Sequence, residues 1–138
     1  MTEIESVELC GWLWRRMSLL NEDDLEEMKY RLHDMQYHKY YFARDNVAIL
    51  KCRSLCPACE YIVQKYERNI EGENCKYCPL YELWPKFPLR YNCESEPSPF
   101  FACRYAVTSG DWPGYRKQAG IIADFCDKKA EALRGIEL

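Results

Sequence analysis

Residues 4–17 read IESVELCGWLWRRM, and the spacing of their apolar side chains decides the fold class. Val7, Cys10, Trp14 and Met17 recur at steps of three and four, the repeat that gathers side chains on one face of an α-helix. A helix over about 3–18 follows. Beyond it, Asn21 is placed to cap a second helix, because Glu22-Asp23-Asp24 put negative charge in a first turn, where the helix dipole and unpaired N–H groups favour it. The stripe Leu25, Met28, Leu32, Met35 and Phe42, interrupted at Lys39, carries that helix to about residue 44. With only Leu19-Leu20-Asn21 between them, the two helices read as a helical hairpin.

Further along, the segment Val47-Ala48-Ile49-Leu50 is too short to classify by period. Pro57 suits a first helical turn, where its missing N–H costs nothing, and Tyr61, Ile62, Val63 and Tyr66 extend that helix to about Glu67. The stretch 69–74, with Gly72, is a loop. Five prolines between Cys75 and Pro99 exclude long regular elements there, so another constraint must hold the backbone. Asp111-Trp112-Pro113-Gly114 opens a last helix whose buried side, Tyr115, Ala119, Ile122, Cys126 and Leu133, runs to about Arg134. The expectation is a single mostly α domain over residues 1–138: an N-terminal hairpin over 1–50, a proline-rich cysteine module over 51–104 and a C-terminal helix over 111–134.

At 138 residues the chain suits one core and is too short for a barrel enzyme. Its 48% hydrophobic and 14% aromatic content is that of a folded protein rather than a disordered one. No basic segment followed by an apolar stretch marks a secretory signal at the start, and no run of about 18 apolar residues marks a membrane span. The expected place is therefore the cytoplasm, where clustered cysteines hold metal more often than they form disulfides. The formal net charge of −3 exerts no general pull on phosphates.

Nine cysteines are the chemical feature. Cys56-Pro57-Ala58-Cys59 and Cys75-Lys76-Tyr77-Cys78 form two C-x2-C pairs with fifteen residues between them, a four-thiolate zinc pattern. Two residues between cysteines let a tight turn aim both sulfurs at one ion, and two such turns complete a tetrahedron. The expected ligands of Zn2+ are Cys56, Cys59, Cys75 and Cys78, with Cys52, Cys93 and Cys103 as substitutes for any one of them. An iron–sulfur cluster on the same thiolates is the alternative. The Cys52-x3-Cys56-x2-Cys59 spacing also resembles the motif of radical S-adenosylmethionine enzymes, whose partial barrel this chain is too short to form. Cys10 and Cys126 lie on apolar helix faces and read as packing residues.

The motif order resembles that of a set of small, largely uncharacterised phage and bacterial cysteine-rich proteins: a C-P-x-C knuckle with a following aromatic, then C-x-x-C-P-L, a further Cys and a Pro-aromatic pair. Here these are Cys56-Pro57-Ala58-Cys59-Glu60-Tyr61, Cys75-Lys76-Tyr77-Cys78-Pro79-Leu80, Cys93 and Pro99-Phe100. The likeness spans roughly residues 56–101, and Tyr77 stands where a glycine is usual. It implies a zinc-bound module of phage or prophage origin, working in a host cytoplasm, with Cys93 as a credible ligand and no known activity.

Catalysis is not expected. His33 and His38, the only histidines, are five apart and do not share a helix face, and neither follows the first knuckle, while thiolate-saturated zinc is a poor Lewis acid. A basic patch of Lys65, Arg68, Lys76, Lys86, Arg90 and Arg104, with Tyr66, Tyr77, Tyr81 and Trp84, would suit nucleic acid, but Glu67, Glu71, Glu73, Glu82 and Glu94 alternate with it. A protein partner fits the composition better, because Tyr, Trp and Arg are the anchors of protein interfaces and the cluster Tyr37, Tyr40, Tyr41, Phe42 covers more than one helix face. The expected function is to bind and modulate another macromolecule, first a host protein of the transcription or defence machinery, with a nucleic-acid-binding zinc module as the alternative.

Overall fold

A computed structural model describes residues 1–28, 57–66, 78–83 and 98–137. The protein is mostly α-helical, with no strand among the described residues. The described residues form five helices, α1 (Glu3–Ser18), α2 (Glu22–Met28), α3 (Pro57–Tyr66), α4 (Pro99–Ser109) and α5 (Trp112–Glu137), with a 3-10 turn at Tyr81–Leu83.

Local chemistry sets the ends of α1. Thr2 is its N-cap, the side-chain oxygen accepting from the Glu5 N–H at 3.1 Å. Glu3 and Glu5 sit in the first turn and Arg15 and Arg16 in the last, each sign facing the opposite end of the helix dipole. The expected face is the buried one: Val7, Cys10 and Met17 are fully enclosed and Trp14 nearly so. Ser6, also buried, meets its hydrogen-bonding need by donating to the Glu3 carbonyl at 2.8 Å.

Asn21 caps α2 as expected, its Oδ1 accepting from the Asp24 N–H at 2.8 Å. Leu25 is fully buried, and Glu26 Oε2 accepts from the Trp112 indole at 3.0 Å, which fastens α2 to the first turn of α5. The rest of the helix expected to residue 44 lies outside the described residues, as do the 47–50 segment, both histidines and the 37–42 aromatic cluster.

Among the described residues the principal partner of α1 is α5, and the two run antiparallel. Glu8 pairs with Arg134, Gly11 faces Cys126, Arg15 pairs with both Asp124 and Asp127, and the Tyr115 hydroxyl lies 3.4 Å from Met17 Sδ. A Cβ added at Gly11 would stand 2.9 Å from Cys126 Cβ, so the helices meet at this glycine more closely than any side chain would allow. The ion pairs along this crossing are exposed and contribute under about 1 kcal/mol each, whereas each large apolar side chain buried between the helices contributes about 1.5–3 kcal/mol. Packing therefore holds the pair, and the charges set its register.

Helix α4 was not anticipated, although its end signals stand in the sequence. Ser98 is the N-cap, its hydroxyl accepting from the Phe101 N–H at 3.1 Å, and Pro99 occupies the first turn. At the far end Gly110 takes the left-handed conformation, φ 72°, and its N–H and that of Asp111 close on the last carbonyls. The last proline of the run, Pro99, thus starts a helix. Ser98 is 1% exposed. Ser98→Ala is expected to cost about 1 kcal/mol through the orphaned Phe101 N–H, measured as a shift of the urea midpoint at constant slope.

The last helix begins as read from the sequence. Asp111 caps it by accepting from the Gly114 N–H at 3.0 Å, and Tyr115, Ala119, Ile122 and Cys126 are buried, with Leu133 packed at the margin. Helix α4 lies against α5 through Cys103 and Ala106, and α3 lies against α1, burying Ala58, Tyr61 and Ile62.

Candidate metal centre

Of the four expected ligands, Cys59 and Cys78 fall within the described residues; Cys56 and Cys75, and the substitutes Cys52 and Cys93, fall outside them. Cys59 sits in the first turn of α3, half-buried, after Pro57 and Ala58 have been packed into the core. Cys78 is buried at the start of a tight turn. There the Leu80 N–H points at Cys78 Sγ, 3.4 Å away, and the Tyr81 N–H closes on the Cys78 carbonyl at 2.9 Å. An amide two residues past a cysteine, turned onto its sulfur, lends the donor that offsets negative charge on a thiolate. The Leu83 N–H then bonds the Leu80 carbonyl at 2.9 Å, forming the 3-10 turn.

No group of three or more potential metal ligands occurs among the described residues. Cys59 and Cys78 each place a sulfur donor on an element anchored in the helical core, and a backbone amide reaches the sulfur of Cys78.

The remaining placed cysteines have a different setting. Cys10 and Cys126 are fully buried packing residues, as their faces imply. Cys103, named above as a substitute ligand, lies in the core on α4, 2% exposed, with its sulfur donating to the Tyr115 carbonyl at 3.8 Å. Burial pushes its thiol up to about 12. Its burial and its contact with Tyr115 place it in the packing between α4 and α5.

That burial has a consequence in alkali. The ordinary value of the Cys103 thiol is 9.0, so below pH 9 folded and unfolded chains both hold its proton and the stability is full. Between pH 9 and about 12 only the folded chain holds it, and stability falls by about 1.4 kcal/mol per pH unit. The Tyr115 phenol, pushed up by burial and then by the neighbouring Cys103, acts with the same sign. Urea midpoints measured from pH 8 to pH 11 should decline, with a shallower slope in Cys103→Ala; midpoints that stay level would contradict this placement of the two groups.

One buried carboxyl side chain escaped the sequence reading. Glu60, directly after Cys59, is 3% exposed, and its Oε1 accepts from Gln64 Nε2 at 3.0 Å. The signal available was its place between Ala58 and the apolar pair Tyr61-Ile62. A second unforeseen link joins Glu82, in the turn after Cys78, to Lys129 of α5 at 3.2 Å.

Of the mixed basic patch, Lys65, Tyr81 and Arg104 have described side chains. Lys65 lies over the Tyr61 ring, 5.4 Å from its centre, and donates to its hydroxyl at 2.9 Å. Arg104 is exposed on α4 beside Tyr105, which is 68% exposed. On the outer side of the α1–α5 crossing a groove of about 390 Å3 is lined by Glu8, Gly11, Trp12, Arg15, Asp127 and Arg134, and the Arg16 guanidinium stacks 5.2 Å above the Trp12 ring. No described helix is long and apolar enough to cross a membrane. Compared with protein-family models, with curated proteins and with solved structures, the chain matches none of them. Fold and site therefore define it by class alone, as a mostly α-helical, cysteine-rich protein.

Proposed function

We propose that this is a small zinc-binding protein, of phage or prophage origin, that acts by binding and modulating another macromolecule, in the first place a host protein. The ion belongs on Cys56, Cys59, Cys75 and Cys78, with Cys52, Cys93 or Cys103 as the substitute for any one of them. The observation that carries the reading is the turn after Cys78, where the second C-x2-C pair ends in an amide-to-sulfur hydrogen bond of the kind that supports a metal-bound thiolate. The phage origin rests on the likeness of the 56–101 motifs, and the cytoplasm is the compartment that keeps such thiols reduced.

The preference for a protein partner rests on surface chemistry. Trp12, Arg15 and Arg134 line the α1–α5 groove, and tryptophan and arginine are interface anchors, while Glu8 and Asp127 among them keep that groove from being a basic stripe for a phosphate backbone. A salt series separates the two classes. The zinc-loaded chain, titrated with single- and double-stranded oligonucleotides, is expected to show no tight association even at low salt. Tight binding that weakens steeply as salt rises would establish the nucleic-acid-binding zinc module instead.

A further inference from the structure

We propose that the turn 78–83 couples metal occupancy to the middle of α5, so that the ion stabilises the helix against which α1 packs. The proposal rests on the zinc reading above and adds a path by which the site acts on the rest of the fold.

Six consecutive residues make the connection. Cys78 receives the Leu80 N–H on its sulfur. Leu80 is 2% exposed within the core, and Leu83 packs at the edge of the same cluster. Between them Glu82 reaches out to Lys129 Nζ at 3.2 Å, and the Lys129 side chain is itself only 21% exposed. Lys129 follows Cys126 by three positions and adjoins Ala130, both of them core residues of α5, and Cys126 is the residue that meets Gly11 of α1. A metal ligand, a core anchor and an ion pair to α5 thus follow one another with no flexible spacer.

Coupling of this kind is reciprocal: if the ion favours the docked turn, the docked turn favours the ion by the same factor. Without the ion, Cys78 loses the interaction that fixes the start of the turn, and the anchors at Leu80 and Glu82 must hold it alone. The effect should be graded along α5, strongest near Lys129 and weak near Ala119, which is held by other contacts.

Hydrogen exchange on the full chain tests this, with zinc removed by chelator and then restored as the free ion. Zinc is expected to slow exchange of the 126–133 amides about tenfold relative to those of 117–121. Glu82→Gln, a change at an exposed side chain, should weaken zinc binding about twofold to threefold, and Leu80→Ala should weaken it further. If the chain takes up one zinc but exchange along α5 is unchanged, or changes uniformly from end to end, the coupling through this turn is wrong. A Glu82→Gln chain whose zinc affinity and α5 protection equal those of the parent would overturn it as well. Failure of the parent chain to bind zinc at all would remove the metal reading itself.

Discussion

Cys78→Ser is expected to reduce bound zinc from one ion per chain to under about a tenth of that, and to expose the 52–103 segment to proteases, with Cys59→Ser behaving alike. The size of the effect follows from the lack of alternatives. Structural zinc sites supply about 10–16 kcal/mol of apparent binding free energy, part of which would go to ordering the chain between the paired cysteines. Five prolines between Cys75 and Pro99 deny that part of the chain the backbone hydrogen bonds of a long helix or strand, so little else is available to replace the metal. Serine is the informative substitution because it keeps the size and polarity of the side chain and removes only the soft sulfur donor. The α1–α5 pair should survive, since its core of Val7, Leu13, Met17, Tyr115 and Ile122 is built from residues outside the segment. Zinc content by elemental analysis and the pattern of protease cuts check both halves of the expectation; a serine variant with full metal content and unchanged thermal stability would show that the ligand set is wrong.

Gly11→Leu is expected to destabilise the helical core by about 3 kcal/mol, lowering the melting temperature by about 10 °C. Glycine inside a helix ordinarily costs about 1 kcal/mol relative to alanine, so a substitution that fills the gap would stabilise α1 if the space were open. It is not open: the first carbon of any side chain would stand 2.9 Å from Cys126 Cβ, and Asp127 Oδ1 and the Ala123 carbonyl lie next beyond it. The contact is with a side-chain root rather than a flexible end, so α5 would have to move. Gly11→Ala should show the two effects nearly in balance, and in Gly11→Leu the steric effect should far outweigh the gain in helix propensity. Far-UV circular dichroism during heating measures both, and a leucine variant as stable as the parent would mean that the helices do not cross at this residue.

Much of the helical architecture is legible from spacing and end signals. The α1 stripe at Val7, Cys10, Trp14 and Met17, the Asn21 cap, the start of α3 at Pro57 and the buried side of α5 all follow from rules that depend on neighbours within one or two turns. Helix α4 was missed for a different reason. Its interior, Phe100 to Thr108, has no clean polar face, and the prolines before it draw attention away from Ser98-Pro99, the cap and first-turn pair that starts it. Long-range pairing was not legible at all. Nothing local says that α1 packs on α5; that contact is made by Gly11 meeting Cys126 and by arginines matched to carboxylates more than a hundred residues away.

The candidate site divides in the same way. Thiolate spacing is a local property, and the C-x2-C pairs could be picked out directly. Sorting nine cysteines into ligands and packing residues depends partly on tertiary contacts: Cys10 and Cys126 could be assigned from their helix faces, but Cys103 could not, because its helix was unseen. The roles of Glu60 and of the Glu82–Lys129 pair depend on which helix faces the core, which no pattern along the chain specifies.

Bound metal per chain, measured together with an absorption spectrum on protein purified without air or chelator, tests the central claim most directly. One zinc per chain with no visible absorbance is the predicted result. Iron with sulfide and a visible charge-transfer band would contradict it and make this a cluster protein, and a chain purified with no metal would remove the ion from the account altogether.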